Sequence, residues 1–506
     1  MTKTIMFQGT ASNVGKSMMA VALCRILYQE GYRVAPFKSW NMALNSYVTK
    51  NGGEVGRAQA LQAEACNIEV TVNMQPFLIK PKGKGKSQVI VKGKPLGDFT
   101  DNYQNKEYIQ WALRIIKKSL NELFLNYEVV VMEGAGSPAE INIKDRDLAN
   151  MKVAELFKTP VILVADIDKG GVFASIVGTL ELLGDKKDLI EAIIINKFRG
   201  SRESLQSGLK FIENKTGIPV LGVMPYLKNI SLPEEDSVMI KEHKNQKAEI
   251  KIGVIKLPHI SNFTDFDILG MEPLLELNYI DSDQNDLGKY DAVILPGTKN
   301  TTEDLFYIKE KGLDNKIIEA AEKGVEIIGI CGGYQMLGNN LIDPEQTEGS
   351  LNVIEGLSLL DIETEFSAGK KTHQIEAITH NNLELSIDFS KEVIKGYEIH
   401  MGKTALKEDS SPLFKIISRS NQECLINDGA ISKDQKVWGT YIHGIFDNDI
   451  FRKKFINKLS QDKIKKRDQI DLINFKEQRS SSLDQLAEEV KKNMDMDLLY
   501  RIIGLD

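Results

Sequence analysis

Short, wholly apolar runs alternate along this chain with longer stretches whose apolar residues recur at helical spacing. That pattern predicts parallel strands buried on both faces and joined by amphipathic helices. Ile5-Met-Phe7 is the first such run and leads into Gly9-Thr-Ala-Ser-Asn-Val-Gly-Lys-Ser17; Met18 to Glu30 then reads as a helix ended by Gly31. Val129-Val-Val-Met-Glu133, Val161-Ile-Leu-Val-Ala-Asp166 and Ile193-Ile-Ile-Asn196 repeat the strand pattern, each ending on a polar residue. From Ser231 to Lys247 the chain is charged and loses its apolar period, which predicts a linker. A second α/β pattern opens at Ile250-Lys-Ile-Gly-Val-Ile255 and continues through Tyr290-Asp-Ala-Val-Ile-Leu295, Val325-Glu-Ile-Ile-Gly-Ile330 and Val437-Trp-Gly-Thr-Tyr-Ile442. The tail from Phe451 to Asp506 predicts charged amphipathic helices that cap the second domain. The expected fold is α/β, with two doubly wound domains over residues 1–228 and 250–448, a linker over 229–249 and a helical extension over 449–506.

Composition narrows this picture modestly. A chain of 506 residues exceeds what one core usually covers, and 42% hydrophobic with 27% charged residues is ordinary for a soluble protein. The formal charge of -7 argues against nucleic acid as a main partner. Four cysteines, at 24, 66, 331 and 424, lack metal-type spacing and suit a reducing compartment. The sequence opens directly into a strand-like run, and no stretch approaches membrane-spanning length, so a cytoplasmic location with no membrane partner is expected.

Strand, glycine loop and helix in succession are the context a phosphate-binding loop requires, because loop N–H groups and the helix N-terminus surround the phosphates. Lys16 would neutralise the β- and γ-phosphates and Ser17 would ligate Mg²⁺. Gly9 stands one residue earlier than the usual pattern, with Thr10 in its slot. Ligands of such sheets gather at strand C-termini, which makes Glu133 a second Mg²⁺ ligand and brings Asp166 and Asp168 to the same edge.

The spacing G-T-x-x-x-V-G-K-S resembles dethiobiotin synthetase and its relatives, which phosphorylate a carboxylate and let an amine attack it. The resemblance implies ATP and Mg²⁺ as cofactors. It also implies a nucleotide site of Gly9, Thr10, Asn13, Gly15, Lys16, Ser17 and Asn196, the last reading adenine, and a metal site of Ser17, Glu133 and Asp166. Pro36-Phe-Lys-Ser-Trp-Asn-Met-Ala-Leu-Asn-Ser46 and Gly56-Arg-Ala-Gln59 make the candidate substrate surface, with Lys38, Asn41, Asn45, Arg57 and Gln59. Those two segments, with Val164-Ala-Asp-Ile-Asp-Lys-Gly-Gly-Val-Phe-Ala174, resemble the cobyric acid synthase family. The related cobyrinic acid a,c-diamide synthases usually carry an aspartate-rich segment that is absent here. Six lysines between Lys80 and Lys94, with no acid among them, are either a solvated hairpin or a patch that steers a polycarboxylate.

In the second half, Gly329-Ile-Cys-Gly-Gly333 places a cysteine between small residues where an apolar run meets a helix-type segment, a nucleophile elbow with sulfur for hydroxyl. Backbone N–H groups there favour a thiolate and can hold an oxyanion. G-I-C-G-G-Y-Q resembles the nucleophile signature of class I glutamine amidotransferases. By that resemblance Cys331 and His443 are catalytic, the N–H groups of Gly297 and Gly332 form the oxyanion hole, and His400 is the second choice of base. Ile445 stands where the usual His-x-Glu supplies an orienting carboxylate; the group that orients His443 stays open, with Asp447 near in sequence. Ser261-Asn-Phe-Thr-Asp-Phe-Asp267 is typical of the resemblance but has no chemistry assigned.

Together the resemblances imply a glutamine-hydrolysing ligase whose partners are glutamine and a corrinoid polycarboxylate. It would amidate the b, d, e and g carboxylates of adenosylcobyrinic acid a,c-diamide. The diamide synthase reaction, and a P-loop scaffold ATPase with a degenerate amidotransferase domain, are the alternatives.

Overall fold

The structure is a computed structural model that describes residues 2–83, 86–100, 105–227, 230, 232–233, 245, 248–284, 286–348, 351–380, 393–460 and 472–505. The chain forms two compact units: Met1–Ala43, Val55–Pro233 and Glu477–Asp506 make the first, Leu44–Glu54 and Glu234–Lys476 the second. Most of the expected linker lies outside the described residues.

In the first unit, six parallel strands stand in the order Val220–Pro225, Ile190–Phe198, Val161–Asp166, Lys3–Gly9, Val129–Glu133, Val34–Phe37. Val129, Val131, Ile162, Val164 and Ile194 are fully buried, as wholly apolar strands covered on both faces must be. Register fixes the chemistry: Phe7 pairs with Glu133, Gly9 with Val164, and Asp166 with Asn196, so the glycine loop and three polar strand ends share one edge. The helix Lys16–Gln29 follows the loop and buries Ala20, Leu23, Ile26 and Leu27; Gly31, at φ 90°, turns the chain out of it.

A smaller sheet joins Trp40–Met42, Phe77–Gly83, Lys86–Val91 and Lys94–Thr100. It absorbs part of the lysine-rich stretch: Lys80 is buried, and Lys92 donates to Asn73 and Ser119. Burial and Lys118 hold the Lys92 pKa below the ordinary ammonium value. Neither lysine is the freely solvated cation that a surface hairpin would offer. Lys84 lies outside the described residues.

The tail differs from the expectation. The helices Phe475–Asn493 and Met496–Ile503 place Leu483, Leu486, Val490, Leu499 and Ile503 in the core of the first unit, not on the second. Asp495 N–H donates to Leu221 O at 2.8 Å, and a Cβ at Gly222 would come within 2.5 Å of Asn493 O, so this docking depends on a bare backbone. The amphipathic period showed that these helices bury a face; it carried no label for the partner.

The second unit is built on strands in the order Leu275–Ile280, Ile250–Ile255, Ala292–Leu295, Glu326–Ile330, Val437–Thr440, all parallel, extended by the antiparallel Ala430–Ser432 and Ser410–Ser411. A further, mixed sheet is built around Ile362–Thr379, which pairs antiparallel with Phe414–Arg419 and with Ile394–Leu406 and parallel with Asn340–Ile342. That sheet was not expected from the apolar pattern, because its strands mix polar and apolar residues rather than forming continuous apolar runs, and polar residues such as Glu398 and His400 are buried within it. Leu44–Glu54 also belongs to this unit, although its sequence neighbours on both sides belong to the other. Among the described residues no helix is long and apolar enough to cross a membrane.

Candidate active site

Four parallel strands of the second unit deliver one cluster at their C-terminal ends. The strand Glu326–Ile330 ends at Cys331, whose φ of 53° with ψ of -108° lies outside the regions that non-glycine residues ordinarily occupy and is held only under constraint. Gly333 makes the turn possible, since a Cβ there would lie 1.9 Å from Leu295 O. The following helix, Gly332–Met336, has only five residues, so it brings no long helix dipole to the cysteine. Cys331 Sγ lies 3.5 Å from Ile399 O.

Ala292–Leu295 leads to Gly297, where a Cβ would come within 3.2 Å of His443 Cε1 and 3.7 Å of Cys331 Cβ. The structure thus brings Gly297, Cys331 and His443 together, with Gly332 next to the sulfur in sequence. His443 follows Val437–Thr440 and is buried.

The residue that sequence reasoning missed is Asp265. Its Oδ2 is 2.6 Å from His443 Nδ1, and its Oδ1 accepts the N–H of Gly444 at 3.1 Å. Asp447 is therefore not the orienting group; Nδ1 is already engaged. Asp265 sits in the Ser261–Asp267 segment, and the legible signal was that this segment follows the strand Ile250–Ile255, whose C-terminal end reaches the same edge as the cysteine strand. Burial opposes charge on His443, but the Asp265 carboxylate and the Cys331 sulfur outweigh it and raise the imidazole to about 10. Among the described residues His443 Nε2 meets no partner within ordinary hydrogen-bond geometry, while the Cys331 sulfur lies close enough to help raise the imidazole.

His400 is differently placed. Its ring stacks on Tyr441 with centroids 3.7 Å apart, its Nδ1 is 2.8 Å from Gly402 O, and burial holds its pKa below the ordinary value. Tyr441 in turn accepts from Gln335 Nε2 at 3.0 Å, tying His400 into the wall around the cysteine rather than into proton transfer.

The first unit holds a second cluster. Lys16 Nζ donates to Ala11 O and Gly136 O, both at 3.0 Å, and so lies folded over the glycine loop. Ser17 Oγ donates to Glu133 Oε1 at 2.7 Å, Lys38 Nζ donates to the same oxygen at 2.9 Å, and Gln62 Nε2 donates to Oε2 at 2.6 Å. Burial pushes the Glu133 carboxyl up, yet Lys38, Ser17 and Lys16 together hold it below the ordinary carboxylate value. Asn13, at φ 59°, and Gly15, at φ 101°, shape the loop, which begins at Gly9 and Thr10; Thr10 N–H donates to Val164 O at 3.0 Å.

Asn196 packs directly beneath that loop: Nδ2 donates to Val14 O at 2.8 Å and Oδ1 accepts the N–H of Lys197. Asp166 is paired with Lys197 at 2.9 Å rather than with Ser17, and Asp168 with Arg199 at 2.6 Å. Of the expected substrate residues, Asn41 contacts Gln59 through a 3.3 Å hydrogen bond, beside Gln75. Lys38 and Arg57 share their unit, whereas Asn45 falls in the other unit with Leu44–Glu54. Among the described residues no three His, Cys, Asp or Glu side chains group to hold a metal.

The class follows from two domain matches. Residues 5–239 match the CobQ/CobB/MinD/ParA nucleotide binding domain, and residues 251–451 match the CobB/CobQ-like glutamine amidotransferase domain. Over its whole length the chain is 50% identical to a cobyric acid synthase from Desulforamulus reducens, covering 99% of that protein, and 46% identical to one from Pelotomaculum thermopropionicum, covering 97%. A cobyric acid synthase from Carboxydothermus hydrogenoformans is 45% identical, with both chains fully covered. The chain belongs to the cobyric acid synthase family.

Proposed function

We propose that this chain hydrolyses glutamine at Cys331 and uses the ammonia, with ATP, to amidate the b, d, e and g carboxylates of adenosylcobyrinic acid a,c-diamide, giving adenosylcobyric acid in cobalamin biosynthesis. The observation that carries the reading is the Asp265–His443 pair set beside the strained Cys331.

The sulfur adds to the glutamine carboxamide carbon, and the oxyanion that forms is suited to the N–H groups of Gly297 and Gly332. His443, held protonated by Asp265 and the sulfur, gives its proton to the departing nitrogen, so ammonia leaves and a thioester remains. Acylation removes the negative sulfur and with it part of the support for the imidazolium. His443 then serves as base for the water that releases glutamate. Asp265 keeps the same Nδ1 tautomer through both halves.

A free carboxylate is a poor acyl donor, because oxide would have to leave. In the first unit a substrate carboxylate oxygen attacks the γ-phosphorus of ATP and ADP departs; ammonia then displaces phosphate from the acyl phosphate to leave the amide. Ser17 and Glu133 offer hard oxygen donors 2.7 Å apart at the glycine loop, which fits Mg²⁺, an ion that neutralises phosphate charge when bound. Lys16 stands ready to swing from the loop carbonyls to the phosphates, and Asn41, Arg57 and Gln59 are the residues for the acceptor. Cys331→Ser is expected to abolish glutamine-driven amidation while sparing amidation with ammonium salt, and Lys16→Ala to abolish both. Glutamine-driven product from the serine variant would remove Cys331 from its role.

A further inference from the structure

Beside His443 two side chains converge on a single peptide. Ser46 N–H donates to Asn262 Oδ1 at 2.9 Å, and Tyr397 O–H donates to Ser46 O at 3.2 Å. Both partners also touch the histidine. The Tyr397 ring lies parallel to the imidazole, with centroids 5.1 Å apart at 17°, and the two residues exchange backbone hydrogen bonds of 2.8 and 3.2 Å. Asn262 stands at φ 53° with Nδ2 3.4 Å from His443 Nδ1, the nitrogen that Asp265 engages more closely at 2.6 Å, and the Asn262 backbone carbonyl accepts the N–H of Asp265 at 3.0 Å.

The segment that supplies this peptide is fastened well beyond what a connecting loop needs. Ser46 Oγ donates to Glu54 Oε1 at 2.8 Å and Lys370 pairs with Glu54 at 2.5 Å; Gln374 Nε2 donates to Val48 O and Thr372 Oγ1 to Gly52 O. Val48 is fully buried in a cluster with Tyr397 and Ile399, the latter carrying the carbonyl that faces Cys331.

We propose that the Ser46 peptide, within a strap of residues 44–54, is a positioning element of the glutaminase centre, acting through Asn262 and Tyr397 to set the imidazole angle at Cys331. It rests on the reading of Cys331 and His443 as that centre. The glutaminase is therefore completed by a segment from the N-terminal half of the sequence, inserted between Asn41 and Arg57. Asn262, Tyr397 and the strap are positioning residues; none needs to touch glutamine.

The experiment uses the full chain and measures glutamate release and, separately, amidation driven by ammonium salt. Tyr397→Phe keeps the stacked ring and loses the bond to Ser46 O; Asn262→Gly keeps the left-handed backbone and loses the bond from Ser46 N–H. Each is expected to lower kcat for glutamate release about 10- to 100-fold, the scale of a misplaced catalytic group, with KM for glutamine within about twofold and ammonium-driven amidation unchanged. Tyr397→Trp, with a ring but no hydroxyl, should not restore the rate, whereas Asn262→Asp, which can still accept from Ser46 N–H, should recover part of it. Unchanged kcat in both primary variants overturns the proposal, and so does a parallel loss of ammonium-driven amidation, which would mark a structural role alone. Glutamate release is read without reference to the acid amidated, so an incorrect acceptor would appear as missing amide with glutamate release intact.

Discussion

Asp265 and His443 are 178 residues apart in sequence and 2.6 Å apart across Oδ2 and Nδ1. That bond supplies the carboxylate that Ile445 cannot, and it comes from a different strand end than the one after the histidine. Asp265→Asn keeps the shape but removes the charge that opposes burial. The variant should lose about 10²- to 10⁴-fold in kcat for glutamine hydrolysis, as triads do when their carboxylate is neutralised, while ammonium-driven amidation continues.

The same substitution has a pH signature. His443 is raised to about 10 against the desolvation that would lower it, chiefly by Asp265. Without the carboxylate, burial dominates and the imidazolium is lost at lower pH, so the alkaline limb of the kcat/KM profile should move to lower pH. An alkaline limb that stays in place would detach Asp265 from the titration.

Glu133→Gln tests the other centre. It removes the carboxylate that Lys38 and Ser17 share. ATP-dependent amidation should fall at least about 10²-fold with either nitrogen source, whereas basal glutamate release persists. Equal loss of both activities would point to misfolding instead.

Much of this was legible in the chain, for a physical reason. Strands buried on both faces write continuous apolar runs, and a polar residue at their ends stands out; Glu133, Asp166, Asn196, Cys331 and His443 were visible in that way. The glycine loop and the cysteine elbow announced themselves through the small residues their backbones require. Asp265 was harder, because its strand is separated from it by a long irregular turn, and an acid among Phe263, Thr264 and Phe266 carries no mark of direction. The strap over residues 44–54 and the docking of residues 477–506 on the first unit were not legible at all, since an apolar face records that it is buried and not against what.

Arg452 offers a stability test within the second unit. It is fully buried, with Nε 2.7 Å from Glu272 Oε1, one terminal nitrogen 2.7 Å from Phe446 O and the other shared by Asp449 and Ile473 O. Burial pushes the Glu272 carboxyl up and Arg452 resists it. Arg452→Met should destabilise the unit by about 3–5 kcal/mol, because it strands a buried acid, and the double variant Arg452→Met with Glu272→Met should recover much of that. Urea denaturation of the parent and the two variants decides it; a double variant as unstable as the single one would mean that packing, not the stranded charge, is lost.

Asp428 gives the opposite kind of ionisation. Burial raises its carboxyl from 3.8 to about 7, against the hydrogen bond from Thr440 Oγ1, with Glu398 adding to the rise. The folded protein thus holds this proton more tightly than the unfolded chain does. Stability from it is fullest below the ordinary carboxyl pKa and declines as pH climbs toward 7, by roughly 4 kcal/mol at most. His443 changes stability in the same direction only above its ordinary 6.5, so each pH must compare variant with parent. Asp428→Asn keeps an acceptor for Thr440 and cannot ionise; its urea midpoint should match or trail the parent at pH 5 and exceed it at pH 8. An advantage that does not grow between those two pH values would place the proton elsewhere.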